Sequence, residues 1–399
     1  MASGRSSPSF SYTSHNTAKL IRGGEAYFSL LVQLIQQAQQ SIHLQTYIYD
    51  EDETGLAVAE ALIAAAQRGV AVYLVADGYA SQNLSDTFIK RLEEGGVNFR
   101  FFQPILKSDN FYFGRRLHHK ILVTDARHGL VGGINVSNKY NDGFGTQPWL
   151  DWALYAEGEI APELVRVCLE LWTRVKRERK KLLWQAQPPV GLPKQECPIR
   201  LRRNDWVQKR SQITNSYLEM FKSARSHIYI MSSYFLPGML LRKKMARASR
   251  RGVKIKLVLA GVSDVMLAKH AERYIYRWIF KNNIEVYEYN QSVLHAKIAT
   301  YDGKWSTIGS YNVNNISAFA SIELNLDVNE AGFAQSMQEH MEEIIRDHCE
   351  QITEEDYRTR YNFFKRLYQQ SCYQVVRVLF FLFTFYFRQR SFKSTHTPK

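Results

Sequence analysis

The strongest constraint on this chain is that its sequence repeats. A His-x-Lys-x4-Asp pattern stands at His118-Lys120-Asp125 and again at His295-Lys297-Asp302. In each copy an asparagine follows the lysine by 15 residues, Asn135 in Gly132-Gly133-Ile134-Asn135 and Asn312 in Gly309-Ser310-Tyr311-Asn312. The approach to each copy repeats as well. Residues 24–40 carry a helical apolar spacing, 41–49 alternate like a strand, 55–68 are helical up to Gly69, and 70–75 are a buried strand. In the second half the same order runs through a helix over 213–224, a strand over 226–231, a basic helix over 240–250, and a strand entered by Arg251-Gly252-Val253, a copy of Arg68-Gly69-Val70. Arg68 and Arg251 precede their motif histidines by 50 and 44 residues. Strands alternating with helices predict a duplicated α/β/α sandwich. Each half is expected to hold a mixed, mostly parallel sheet, with a pseudo-twofold relation and one shared active site.

The residue types suggest chemistry at phosphorus. In a strand, His-x-Lys directs imidazole and ammonium to one face, because side chains repeat with period two. Two such faces brought together gather two histidines, two lysines and two asparagines. Ammonium and amide donors suit a phosphate and the added negative charge of its transition state. One imidazole can attack while the other, protonated, assists the leaving oxygen, which implies a covalent phospho-histidine. The lysines supply positive charge and no carboxylate cluster suited to Mg²⁺ or Zn²⁺ is seen, so neither metal nor cofactor is expected. One copy of the motif would be a weak signal, since a single strand histidine is ordinarily a packing residue. Two copies in equivalent places, each with its asparagine, are a strong one. His119 is expected on the opposite face from His118, in packing or at the surface.

The formal net charge of +14 is unevenly placed, with basic clusters at 174–181, 200–210 and 242–256 and seven Lys/Arg with no acid from Lys365 onward. That balance favours an anionic partner, nucleic acid or a membrane surface. Cys168, Cys197, Cys349 and Cys372 form no C-x-x-C pair and read as reduced, mostly buried thiols of a cytosolic protein. The polar, Ser-rich start has no signal-peptide core, and no apolar run is long enough to span a bilayer. Residues 378–387, aromatic and aliphatic between Arg377 and Arg388, are expected to lie in a lipid headgroup region. The alternative for them is a helix docked on the core. The expected organisation is a polar segment (1–19), a first half (20–173), a basic, proline-bearing linker (174–205), a second half (206–350) and a membrane-associating tail (351–399).

On these motifs the chain resembles the phospholipase D superfamily, and within it the short bacterial cardiolipin synthases. The resemblance runs from Leu20 to Asp347 and includes the segments 45–50, 65–70, 131–135, 149–151, 233–237 and 308–312. It implies a phospholipase D-like sandwich in each half. It implies His118 as nucleophile and His295 as general acid and base, with the reverse assignment open. Lys120, Lys297, Asn135 and Asn312 would hold phosphate oxygens. Acids from the opposite half would orient the histidines, Glu323 serving His118 and Asp151 serving His295, while Asp125 and Asp302 would be structural. Three departures are noted near the pocket rim: Gln45 where such synthases often have Glu, and Asn314 and Ser321 where Asp and Asn are common.

The function implied is cardiolipin synthesis from two phosphatidylglycerols with release of glycerol, by a peripheral enzyme at the cytoplasmic face of the cell membrane. The partners expected are anionic phospholipids and the membrane surface, with nucleic acid disfavoured and oligomeric state open. The alternatives are a phospholipase D or transphosphatidylase using water or a small alcohol, and a metal-independent phosphodiesterase or nuclease.

Overall fold

The computed structural model describes residues 11–104, 115–144, 147–173, 175–314 and 321–393, with side chains as far as Leu379. The first half contributes strands β1 (Thr13–Arg22), β2 (Ser41–Thr46), β3 (Ala71–Asp77), β4 (Asn98–Phe102), β5 (Arg116–Leu117), β6 (Ile121–Thr124), β7 (His128–Gly132) and β8 (Trp152–Gly158). The second contributes β9 (Glu196–Asp205), β10 (Arg210–Ser211), β11 (His227–Ser232), β12 (Lys254–Val262), β13 (Glu285–Val293), β14 (Lys297–Tyr301), β15 (Trp305–Gly309), β16 (Ser321–Val328) and β17 (Cys349–Ile352).

The first sheet has the order β4-β3-β2-β6-β7-β8-β1. The second repeats it as β13-β12-β11-β14-β15-β16-β9, with β17 added beside β13. β1 and β9 pair antiparallel, Thr13 opposite Ile199, and join the two sheets edge to edge. The fold is the expected duplicated α/β arrangement, with one correction. Within the two sheets parallel pairing is confined to β2-β3-β4 and β11-β12-β13 and the other pairings are antiparallel, so neither sheet is mostly parallel; the short β5 adds a parallel pairing to β16 across the halves. The cause is local. The chain reverses after each motif strand through left-handed residues, Asp125 and Ala126 (φ 53° and 48°) and Asp302 and Gly303 (φ 52° and 59°), and so short a turn joins only antiparallel strands.

Three expected boundaries also shift. Residues 13–19 lie in β1, not in a polar leader, and 349–352 form the edge strand β17. Residues 196–205, expected in the linker, are the central seam strand β9, pairing with β16, β1 and β10. Their charges disguised the alternation: Cys197, Ile199 and Leu201 point into the core, and buried Arg203 pairs with Glu170 at 2.8 Å.

Helices Glu25–Gln37 and Glu53–Gln67 cover the parallel strands of the first sheet through Leu31, Ile35, Val58 and Leu62. A second core runs between the halves, joining Ile121, Val123, Leu154 and Leu164 to Ile298, Ile308, Leu326 and Met337. At about 1.5–3 kcal/mol for each fully buried large aliphatic side chain, that shared core makes the halves one cooperative body. Helix Phe363–Lys393 lies against helix Met266–Tyr274, with Gln369, Cys372 and Val376 buried and the Tyr274 and Tyr373 rings 4.8 Å apart. Its beginning is thus docked on the second half, while the expected lipid-facing run 378–387 lies, from 380 onward, outside the described side chains. Among the described residues no helix is long and apolar enough to cross a membrane.

Candidate active site

Each motif sits at the entry to its strand. His118, His119 and Lys120 link β5 to β6, and His295 and Ala296 lead into β14, which begins at Lys297. What locates them is backbone pairing across the halves. β5 pairs in parallel with the start of β16, Leu117 opposite Ile322, and the His118 N–H donates to the Ile322 carbonyl at 3.1 Å. In the mirror relation Leu294 bridges Leu150, and the His295 N–H donates to the Leu150 carbonyl at 2.8 Å. The residue after each acceptor is an acid of the opposite half. Glu323 Oε2 therefore lies 2.9 Å from His118 Nδ1, and Asp151 Oδ2 lies 2.6 Å from His295 Nδ1. A carboxylate accepting from Nδ1–H leaves Nε2 of each imidazole as the nitrogen available for chemistry.

The two acids differ by one methylene, and their neighbours match that difference. Asp151 packs against Gly133, where an added Cβ would stand 2.3 Å from Oδ2. The equivalent position of the second half is Ser310, whose hydroxyl donates to Glu323 Oε2 and whose carbonyl lies 3.1 Å from His118 Nδ1. Ser310 was passed over in the sequence although it lies inside the Gly-Ser-Tyr-Asn block. Also missed were Ser233, which accepts from the Lys297 ammonium at 3.2 Å, and the rings around the imidazoles. Tyr47 packs on His118 at 4.9 Å, and Tyr140 and Trp149 on His295 at 5.2 and 5.8 Å. Tyr47 and Trp149 stood in noted segments, but an aromatic residue is ordinarily core and carried no separate signal.

Lys120 donates to the His118 carbonyl at 2.9 Å and lies 5.0 Å from the centre of the Tyr47 ring; Lys297 donates to the His295 carbonyl. Both ammoniums are buried. Burial, with the Lys297 charge behind it, brings Lys120 down to about 7, and burial brings Lys297 down to about 8 against the pull of Asp151. Burial likewise lowers His118, with Glu323 opposing, and holds His295 well below its ordinary value, helped by the two lysines. Burial pushes Asp151 up to about 7, with Lys297 opposing at 3.9 Å. The groups of both halves therefore share one field, and each cationic form is disfavoured without a bound anion. A phosphodiester would restore that charge.

Asn312 is buried with its Oδ1 unpartnered among the described residues. Asn135 is more committed: its Oδ1 accepts from the Ile48 N–H at 3.1 Å and its Nδ2 donates to the Tyr140 hydroxyl at 2.8 Å. Asp125 and Asp302, which complete the motifs and were expected to be structural, are not in the site. They stand beyond the far ends of β6 and β14, where each carboxylate accepts three backbone N–H groups, from Gln39, Gln40 and Ser41 and from Arg225, Ser226 and His227 (2.7–2.9 Å). His119 is buried, 3.2 Å from the Gln45 side-chain oxygen, and Gln45 also donates to the Cys168 carbonyl at 3.3 Å. Gln45 is thus an interior residue, not the rim residue expected.

Both halves of the chain match known proteins. The family described as "Cardiolipin synthase, PLD-like domain" matches residues 31–143 and 217–345, one match in each half. The chain is 33% identical over 351 residues to cardiolipin synthase B of Escherichia coli K12, covering 86% of this chain and 84% of that one. It is 34% identical over 344 residues to cardiolipin synthase B of Salmonella typhimurium, covering 85% and 83%. Among solved structures, phosphatidylserine synthase of Haemophilus influenzae superposes with a TM-score of 0.70 at 14% identity, over 92% of this chain and 94% of that one, a likeness of fold. Matched across both halves, the chain belongs to the cardiolipin synthase family with phospholipase D-like domains.

Proposed function

We propose that the enzyme makes cardiolipin by transferring a phosphatidyl group between two phosphatidylglycerols, with release of glycerol. The observation that carries this reading is the reciprocal pairing of His118 with Glu323 and His295 with Asp151, each across the halves. His118 Nε2 attacks the phosphorus of the first lipid, the bond to the glycerol oxygen breaks, and protonated His295 gives that oxygen its proton. Neutral His295 then takes the proton from the hydroxyl of the second phosphatidylglycerol. Its oxygen attacks phosphorus, the P–N bond breaks, and His118 is regenerated. Lys120, Lys297 and Asn312 hold the non-bridging oxygens, with Asn135 positioning Tyr140 and the loop at Ile48. The lowered pKa of His118 keeps it neutral for attack, and the arriving phosphate charge favours the protonated form of His295. The enzyme works peripherally at the cytoplasmic face of the cell membrane, a reading supported by the net charge of +14 and by the aromatic, basic C-terminal run.

The test is to incubate the purified protein with phosphatidylglycerol vesicles and analyse the lipids. Cardiolipin with free glycerol, abolished in His118→Ala and in His295→Ala, is the expected result. Phosphatidic acid as the sole product would instead mean hydrolysis, and DNA cleavage without any lipid product a nuclease.

A further inference from the structure

The two halves differ at the rim of the site in a way the chemistry does not require. In both, the site lies at the sheet edge where the parallel strands end: Ser233, just past β11, accepts from Lys297, and Tyr47, just past β2, packs on His118. The chain leaving β2 passes through four consecutive acids, Asp50 to Glu53, with Asp52 capping the helix that follows. The equivalent chain leaving β11 reads Pro237-Gly238-Met239-Leu240. Its helix, Met239–Arg250, holds no acid and carries Arg242, Lys243 and Lys244 in its first two turns. β12 is parallel to β11, so it ends at the same edge, and there the chain runs Val262-Ser263-Asp264-Val265-Met266-Leu267. Tyr234, between β11 and the first of these segments, donates its hydroxyl to Asp264, the single acid of the second, and ties the two tips together.

The apolar residues of these tips are uncovered. Met239 is 87% exposed and Met266 59%, and Leu240, Val262, Val265 and Leu267 are exposed beside them. We propose that the two tips form a docking surface for an anionic phospholipid bilayer, seated next to the mouth of the site; this rests on the reading that the site acts on phospholipid. Flexible methionine and aliphatic side chains flanked by lysine and arginine suit insertion at the headgroup boundary. The acids at the rim of the first half are repelled by the same surface, so the enzyme approaches with its second half leading. The terminal helix extends this face: Arg242, at the first tip, donates to the Tyr373 hydroxyl at 2.9 Å.

The experiment is sedimentation of the full chain with vesicles of phosphatidylglycerol and phosphatidylcholine, comparing wild type with Met239→Ser/Met266→Ser. The expected result is at least a roughly tenfold loss of vesicle partitioning, from the apolar area no longer buried, with unchanged turnover of short-chain phosphatidylglycerol dispersed as monomers. Leu56→Ser, at the acidic rim, leaves partitioning as it was. In a separate variant, Met266→Trp, fluorescence shifts to the blue on vesicles and is quenched by brominated lipid. Undiminished partitioning of the double variant, an equal loss in Leu56→Ser, or an unshifted Trp overturns the proposal. If the vesicles bind through these tips but no cardiolipin forms, the proposed reaction fails while the docking surface stands. If cardiolipin forms while the double variant binds normally, the reverse holds.

Discussion

Glu323 Oε2 and His118 Nδ1 lie 2.9 Å apart although they belong to different halves, and the contact of Asp151 with His295 at 2.6 Å is its mirror. Neither half therefore holds a complete set of groups. Glu323→Gln and Asp151→Asn, which keep shape but lose charge, are expected to lower kcat by roughly a hundred- to ten-thousand-fold, by analogy with an amide replacing the carboxylate of a His–Asp pair. KM and the melting temperature should change little. The check is steady-state kinetics alongside thermal melts, and near-normal kcat in either variant would remove the positioning role.

The covalent step places the phosphatidyl group on one named nitrogen. Acid-sensitive, base-stable label from a radioactive lipid should appear after denaturing quench, and peptide mapping should locate it at His118. Label on His295 would reverse the roles of the two histidines, and no trapped label in any slow variant would argue for direct transfer.

The lysines make stability and binding depend on pH in opposite senses. Folded Lys120 and Lys297 lose their protons near 7 and 8, whereas an unfolded lysine keeps its proton to about 10.4. Between those values the unfolded chain holds more protons, so these groups make the free enzyme more stable as pH rises from 7 towards 10. A bound anion needs the protonated lysines, so inorganic phosphate should raise the melting temperature more at pH 6 than at pH 9. Lys120→Met should abolish activity yet stabilise the free protein at pH 6, by about 1 °C for each kcal/mol of desolvation relieved. Melts across pH with and without phosphate test both statements; protection that grew with pH would contradict them.

Asp302 behaves as a structural residue. Burial would raise its carboxyl, but the three backbone N–H groups of Arg225, Ser226 and His227 hold it below the ordinary range. Its contribution is present above the unfolded carboxylate pKa of about 3.9 and is lost as pH falls through the lower folded value. Asp302→Ala is expected to cost roughly 2–4 kcal/mol of stability while kcat per folded molecule stays near wild type. Denaturant unfolding and active-site titration separate the two, and a large fall in kcat with unchanged stability would return Asp302 to the site.

Gly133 is where space is tightest. Because a Cβ there would meet the Asp151 carboxylate at 2.3 Å, Gly133→Ala should displace Asp151 and disable the enzyme about as severely as Asp151→Asn. Ser310→Ala leaves Glu323 room and removes one donor, so it should cost only about ten- to a hundredfold, the scale of one charge-assisted hydrogen bond. Equal activities in the two variants would show that the difference in acid length does not matter.

The duplicated motifs were sufficient to name the histidines, lysines and asparagines and to predict a doubled α/β fold, because period-two side-chain direction and repeated spacing are local properties of a chain. The balance of parallel and antiparallel pairing was misjudged, since buried strands read alike in either direction and the left-handed turn residues at Asp125 and Asp302 that turn the chain back carry no apolar pattern. β9 was hidden because its buried Arg203 is matched by Glu170, a partner 33 residues away. Which acid stands behind which histidine was suggested only by family resemblance. Its geometry follows from the backbone bonds of His118 to Ile322 and of His295 to Leu150, contacts between residues 204 and 145 positions apart. The sequence alone determined which groups are present; packing of one half against the other decided which of them meet, because a hydrogen bond across that seam exists only once both sheets have folded and closed on their common core.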